Sequence, residues 1–240
     1  NTARDFLEDV KIGGATKRWQ GAFELSKLLS STKMVPKDDS FVNEMISTFE
    51  YYAKDRDERI RQYLALAMGA TKDRRYVEIL IDALKDSNQG VLQACAFALG
   101  NIGDPSANEA LIELLENQDP QTRLHSVMAL GKIGSSLSNG PLRRMLNDRE
   151  PNVRWDAAIA LAKQKDFISR TILLDLLDRE YLNSFTNIDE KERVKVILVA
   201  IKVSHFVGNE QLKLKLEELK DSDPNLKIRE AARFELKKFL

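Results

Sequence analysis

Residues 91–115 read VLQACAFALGNIGDPSANEALIELL, two apolar-rich segments separated by a Gly-Asp-Pro turn at 103–105. In the second segment the leucines follow the i, i+3, i+4 spacing of one helix face: Leu111, Leu114 and Leu115. Glycine commonly ends a helix, and proline is tolerated in the first turn of the next one. This stretch therefore predicts two amphipathic α-helices joined by a tight turn.

The same pattern returns every 31 residues between about residues 60 and 166. Three columns with this spacing are Arg61, Leu92, Arg123 and Arg154; Gly69, Gly100, Gly131 and Ala162; and Leu80, Leu111, Leu142 and Leu173. A fixed period of about 20–50 residues is typical of a stacked array. One helix pair of this size cannot bury its apolar stripe alone, so neighbouring pairs must share a core.

Less regular repeats extend the array towards both ends of the chain. The segment KRWQGAFEL at residues 17–25 matches VRWDAAIAL at residues 153–161. The step from Arg18 to Arg61 is 43 residues, which places an insertion in the polar stretch from Ser30 to Ser40.

Towards the C-terminus we expect a long loop from Arg179 to Glu190, a second helix over about 191–204 and a final pair at about 210–220 and 226–239. The sequence thus predicts an all-α chain with one domain over residues 1–240. The expected architecture is a right-handed α-α superhelix of about seven helix pairs.

Composition restricts the function. Lysine plus arginine and aspartate plus glutamate each number 37, so the formal net charge is zero and argues against a strongly basic nucleic-acid binder. Cys95 is the single cysteine and there are two histidines, which excludes zinc sites built from several such ligands. The apolar run from Val196 to Ile201 is far shorter than a membrane span. We expect a cytoplasmic location, although the missing initial methionine is compatible with an upstream signal or anchor.

Two stretches resemble HEAT repeats of the short bacterial type, often called PBS-lyase HEAT-like repeats. They are DREPNVRWDAAIALAKQKD at residues 148–166 and VLQACAFALGNIGDPSANEALIELL at residues 91–115. The resemblance extends over nearly the whole chain and implies an α-solenoid. It is less informative about activity, because one fold hosts many functions.

One column of the repeat holds arginines that could form a phosphate-binding track. In HEAT-like arrays, however, an arginine at the start of the second helix bonds to inter-helix acids and neighbouring turns. We therefore interpret the column as a structural ladder, whose members are Arg18, Arg61, Arg123 and Arg154 with Asp148 as an acidic partner. Leu92 interrupts the column, which argues against a continuous anion-binding track.

The second helices carry apolar and aromatic residues on the side opposite their core positions. In HEAT-like solenoids the second helices line the concave side, so these residues predict an apolar groove for a partner. They are Trp19, Phe23, Tyr63, Leu66, Phe97, Leu124, His125, Met128, Trp155 and Ile159. The alternative is that they fill lateral contacts between adjacent second helices.

We predict a non-catalytic scaffold or adaptor that binds a protein or peptide segment along this groove, with no metal and no cofactor. Two alternatives follow from the resemblance: a chromophore-handling subunit similar to phycobilin lyases and a DNA glycosylase of the HEAT-like type. The pair Trp155-Asp156 weakly resembles the concave tryptophans and aspartate of those glycosylases. The groove, however, lacks the lysines and arginines that binding to DNA phosphates requires. The His-Glu iron ligands of HEAT-like deoxyhypusine hydroxylases are missing, since Ser126 follows His125 and Phe206 follows His205.

Overall fold

Every secondary-structure element among the described residues, 1–31, 35–53 and 57–239 of this computed structural model, is a helix. The chain divides into two units, Asn1–Ile133 (unit 1) and Gly134–Leu240 (unit 2), which are described separately. None of the helices within the described part of the chain has both the length and the apolar character that crossing a bilayer requires. The predicted all-α fold is confirmed.

Unit 1 contains four helix pairs. Its helices are α1 (Ala3–Ile12), α2 (Ala15–Ser31), α3 (Asp39–Ala53), α4 (Glu58–Thr71), α5 (Val77–Asp82), α6 (Gln89–Ile102), α7 (Asn108–Glu113) and α8 (Pro120–Ile133). Single turns of 3-10 helix flank the short first helices α5 and α7. The second helices α2, α4, α6 and α8 pack side by side in chain order. The insertion expected at Ser30 to Ser40 falls partly on residues 32–34, which lie outside the described residues.

Unit 2 contains three pairs and one additional helix. Its helices are α9 (Asn139–Met145), α10 (Pro151–Lys163), α11 (Arg170–Leu176), α12 (Arg179–Asn183), α13 (Glu190–Ser204), α14 (Glu210–Ser222) and α15 (Leu226–Leu236). Helices α9 and α10, α11 and α13, and α14 and α15 form the pairs. The seven pairs agree with the predicted number. The prediction of a loop from Arg179 to Glu190 is wrong for its first residues, because helix α12 begins at Arg179.

The 31-residue period is set by turns in which each residue has a fixed task. Left-handed backbone ends α4, α6, α8 and α10 at Lys72, Gly103, Gly134 and Lys165, with φ of 56°, 77°, 70° and 61°. Next comes an oxygen-bearing side chain, as at Asp104, whose Oδ1 accepts a 3.0 Å bond from the Ser106 amide. A 3-10 turn then begins, and at Pro105 the ring removes an N–H that would have no helical partner. These turns reverse the chain between repeats.

Close approach of the second helices explains the glycine column in unit 1. A Cβ added at Gly69 would lie 2.5 Å from the Cα of Ala98, and one added at Gly100 would lie 2.7 Å from the Cα of Ala129. Real Cβ atoms do not approach backbone so closely, so only glycine permits this spacing. The column therefore sets how tightly α4, α6 and α8 pack.

The arginines of the predicted ladder lie at the start of second helices and donate to carbonyl oxygens of the preceding turn. Two of these bonds join residues six positions apart: Arg123 to Asn117 and Arg154 to Asp148, at 2.9 and 2.7 Å. Arg229, which is not a member of the predicted ladder, makes the same bond to Asp223 at 2.6 Å. Buried carbonyls need such donors because a helix-joining turn leaves them without backbone partners.

The two N-terminal arginines of the column make related contacts. Arg18 Nε donates to the Gly13 carbonyl at 2.6 Å. Arg61 donates to the Tyr52 carbonyl at 3.2 Å, and its Nε lies 2.9 Å from Asp86 Oδ2. Each of these guanidinium groups thus contacts a turn or helix end of the array itself.

Candidate functional site

The second helices of unit 1 present a continuous surface, here called the second-helix face. Its residues are Trp19 and Phe23 on α2, Tyr63 and Leu66 on α4, Phe97 on α6, and Leu124, His125 and Met128 on α8. All are exposed or half-buried. The structure therefore brings together eight of the ten residues predicted to form the groove.

A line of apolar side chains runs across this face. Leu66, Phe97 and Met128 stand at 31-residue steps, and Phe23 holds the matching place five residues after Arg18. Phe23, Phe97 and Met128 expose 38%, 36% and 37% of their surface, and Leu66 is half-buried. A row of partly exposed large apolar side chains on adjacent helices is the type of surface that partner proteins cover.

An aromatic corner lies at the N-terminal end of the line. The Phe23 and Tyr63 rings meet edge to face, with centroids 5.3 Å apart. The Arg59 guanidinium lies 5.2 Å from the centroid of the Trp19 ring. Beside these rings is a cleft of ≈ 460 Å³ whose lining includes Trp19, Phe23, Tyr63 and Glu24. Rigid rings at the edge of a cleft can bind apolar side chains at low entropic cost.

A second, shallower cleft of ≈ 270 Å³ lies between α4, α6 and α8, with Leu66, Phe97 and His125 among its lining residues. Helix α6 carries no charged residue. Phe97 is partly covered by Lys132, whose Nζ lies 4.5 Å from the ring centroid. The Gln93 amide, which also lines the cleft, donates to Asp119 Oδ2 at 3.1 Å. The cleft is therefore apolar at its centre and has amide groups at its edge.

Trp155 and Ile159, the last two predicted groove residues, are buried, with 4% and 9% of their surface exposed. The prediction that they are free for a partner is wrong. The Trp155 Nε1 donates to the Tyr181 hydroxyl at 3.2 Å, and the Phe185 ring lies 5.1 Å from the Trp155 ring. Both covering rings come from α12 and the turn after it.

The sequence interpretation missed Tyr181 and Phe185 because they fall in the stretch treated as a loop. The available signal was the pair of aromatic residues four positions apart, a spacing typical of one helix face, although α12 ends at Asn183 and only Tyr181 lies on it. Their rings also meet edge to face, with centroids 5.2 Å apart. Together with Trp155 they form a three-ring cluster inside unit 2.

The reactive side chains do not assemble into catalytic groups around the two clefts. The lining contains one carboxylate, Glu24, in the aromatic corner and one imidazole, His125, in the second cleft. Cys95 is fully buried, and its burial raises the pKa of the thiol, which disfavours a nucleophilic thiolate. In the described part of the chain, no three His, Cys, Asp or Glu side chains are grouped to hold a metal ion. The geometry of the face suits binding.

Asp156 has an unusual environment. Burial raises the pKa of its carboxyl group to about 6, and Lys163 partly opposes this shift. The same repeat position holds Ala94 and His125 in unit 1. The carboxyl therefore stands at a position that accepts both apolar and polar side chains.

Comparison with known proteins identifies the repeat. The sequence pattern of HEAT repeats matches residues 46–120 and 108–183. A comparison with curated protein sequences found no match.

Several solved structures share the fold at low sequence identity. The complex of CpcE and CpcF of phycocyanin lyase from Nostoc sp. PCC7120 aligns with a TM-score of 0.66 and 18% identity, over 100% of this chain and 95% of that one. YibA of E. coli gives a TM-score of 0.58 and 18% identity over 99% and 93%. A designed armadillo repeat protein bound to the peptide (KR)4 gives 0.50 and 14% over 100% of each chain. The helix pairs, the repeat pattern and these likenesses agree: the chain belongs to the HEAT-repeat family.

Proposed function

We propose that the chain is a non-catalytic scaffold that binds a segment of a partner protein across the second-helix face of unit 1. The observation that carries this proposal is the line of partly exposed side chains formed by Phe23, Leu66, Phe97 and Met128. Removing the remaining exposed surface of such a residue from water contributes about 1–2 kcal/mol. Four in one line supply enough to offset part of the entropy lost on association.

The chemistry of the face favours an apolar protein segment over nucleic acid. Phosphate binding needs a cluster of lysine and arginine side chains, whereas α6, in the middle of the face, has no charged residue. Arg59 and Lys132 lie over aromatic rings, and Arg59 also pairs with Asp57 at 2.9 Å. The solved complexes of CpcE with CpcF and of a designed repeat protein with a peptide support protein binding as a use of such arrays.

The experiment selects peptides from a random phage-displayed library on the immobilised chain and measures their affinity by fluorescence anisotropy. The test variant is Phe97→Ser/Met128→Ser, and the matched control is Leu137→Ser, which removes a 74% exposed leucine from a turn of unit 2. We expect at least a tenfold loss of affinity for the double variant, with unchanged circular dichroism, and less than a twofold change for the control. Equal affinities for the double variant and the unmodified chain would refute the proposal.

A chromophore-handling subunit is the second candidate, and the likeness to the CpcE and CpcF complex favours it. The aromatic corner of Trp19, Phe23 and Tyr63 would then contact the chromophore. Mixing the chain with a free bilin and recording its visible absorbance distinguishes the two functions. A red shift that Trp19→Ala and Phe23→Ala abolish would support this candidate, and an unchanged spectrum would exclude it.

A further inference from the structure

A third cleft lies on the first helices of unit 1, away from the second-helix face. It has a volume of ≈ 310 Å³ and lies between α5 and α7. Ile81, Leu84, Ala110 and Leu114 provide its apolar floor, and its polar lining consists of Glu109, Glu113, Ser106 and one cationic residue, Lys85. We call it the acidic cleft.

The chain around the acidic cleft has a large excess of negative charge. Residues 77–119 contain eight acidic residues and one basic residue, Lys85. Three of the acids have partners elsewhere in the fold: Asp86 contacts Arg61, Asp104 contacts Arg74, and Asp119 accepts bonds from Thr122. The others are exposed and have no ion pair among the residues that the structure describes: Glu78, Asp82, Glu109, Glu113 and Glu116.

Their spacing concentrates the charge. Glu78 and Asp82 on α5 are four residues apart, as are Glu109 and Glu113 on α7, and the two pairs are related by the 31-residue step. Like charges at i, i+4 repel and weaken a helix slightly. The apolar side chains of the cleft have a low dielectric constant, which strengthens the negative potential of the neighbouring carboxylates. The arrangement is unfavourable for the isolated chain and favourable for binding positive charge.

We propose that the acidic cleft is a docking surface for a basic amphipathic segment of a partner protein. The apolar side chains of that segment lie on Ile81, Leu84 and Leu114, and its lysines or arginines pair with the carboxylates of α5 and α7. Charge complementarity selects this occupant, since an apolar segment alone would leave the carboxylates without partners. An anionic membrane surface would be repelled. This surface is separate from the second-helix face and binds a different chemistry.

The test uses the full chain and a fluorescein-labelled synthetic peptide in which lysine and leucine form an amphipathic helical pattern. The test variant is Glu109→Gln/Glu113→Gln. The matched control is Glu210→Gln/Glu230→Gln, which neutralises two exposed acids of α14 and α15. At low ionic strength we expect about a tenfold loss of affinity for the test variant and less than a twofold loss for the control. A peptide with serine in place of leucine should bind at least tenfold more weakly.

Several results would overturn the proposal. Equal losses for the test and control variants would show that the peptide responds to overall charge, and equal binding of the serine peptide would show that the apolar floor is not used. A large loss with Phe97→Ala would place the peptide on the second-helix face. Sedimentation showing a dimer that Glu109→Gln/Glu113→Gln dissociates would make a second copy of the chain the occupant. Because the substituted acids are exposed, circular dichroism should be unchanged in every variant.

Discussion

Phe97 in unit 1 and Ile159 in unit 2 occupy equivalent positions, two 31-residue steps apart, but one is open and the other covered. The difference comes from the connections between helices. In unit 2, α12 and the turn after it place Tyr181 and Phe185 on Trp155, next to Ile159 in the same buried cluster. In unit 1, Phe97 is approached by the Lys132 ammonium group. The repeat position determines where a side chain points, and the inserted segments determine whether it remains exposed.

Replacing the two aromatic residues gives the largest expected contrast between the units. Trp155→Ala removes a buried ring and its hydrogen bond to Tyr181, so it should lower the free energy of unfolding by about 3–5 kcal/mol. Phe97→Ala removes a ring that keeps 36% of its surface exposed, so it should cost less, about 1–2 kcal/mol. Urea denaturation of the full chain, followed by circular dichroism, measures both. Similar losses for the two variants would show that the second-helix face of unit 1 is also structural core.

Much of the fold could be predicted because the repeat uses residues that act locally. Gly103, Asp104 and Pro105 each favour a particular backbone geometry, so the turn can be read without knowing its neighbours. The apolar columns then give the helix faces and the number of pairs. The same reasoning placed eight residues on one accessible face of unit 1.

The rest depends on contacts that no period encodes. Tyr181 and Phe185 lie outside the 31-residue columns, and their position over Trp155 follows from the fold of an irregular segment. In the sequence, the carboxylates of the acidic cleft are only part of a broader excess of negative charge, since residues 1–120 contain 20 acidic and 15 basic residues. That five of these carboxylates form no ion pair with a described residue can be seen only in the packed structure.

Glycine substitutions should have the next largest effect, again with a larger loss of stability in one unit than in the other. A Cβ at Gly69 would lie 2.5 Å from the Ala98 Cα, so Gly69→Ala must push α4 and α6 apart at a cost of about 1–3 kcal/mol. In unit 2, Gly140 in α9 has no atom within 4 Å of an added Cβ apart from its chain neighbours, of which Pro141 is one. The proline ring disfavours helical backbone at a preceding residue that carries a Cβ, so Gly140→Ala should cost about 1 kcal/mol or less, below the cost of Gly69→Ala. Thermal unfolding of both variants tests this, and a destabilising Gly140→Ala with a neutral Gly69→Ala would contradict the packing description.

Asp156 offers a pH-dependent contrast with Ala94 at the equivalent place in unit 1. Burial raises the pKa of Asp156 to about 6 from its usual value of 3.8, so between these values the folded state holds more protons than the unfolded state. Stability should therefore fall as the pH rises through this range, and the penalty is complete above about pH 6. Asp156→Asn should raise the free energy of unfolding by about 1–2 kcal/mol at neutral pH and have little effect near pH 4. Denaturation curves across this pH range measure the free energy of unfolding of the unmodified chain and of Asp156→Asn. Parallel pH profiles for the two proteins would disprove the expectation.

The smallest effect concerns Lys132, which covers Phe97 far less completely than the rings cover Trp155. Its Nζ lies 4.5 Å from the Phe97 centroid and donates to Asn101 Oδ1 at 2.8 Å. A partly exposed cation–π contact is worth about 0.5–1 kcal/mol, and Lys132→Met retains the apolar stem, so the net loss should be at most about 0.5 kcal/mol. Unfolding in urea measures the loss, and anisotropy with the peptides selected on the second-helix face measures binding.

Binding makes this substitution informative despite its small effect on stability. If the ammonium group only borders the apolar line, Lys132→Met should leave peptide affinity unchanged or raise it by about twofold, because a charge no longer needs to be desolvated beside Phe97. A loss of tenfold or more would mean that the bound segment pairs with the lysine. The second-helix face would then bind an acidic group of the partner beside its apolar residues. The acidic cleft, in contrast, would bind a basic group.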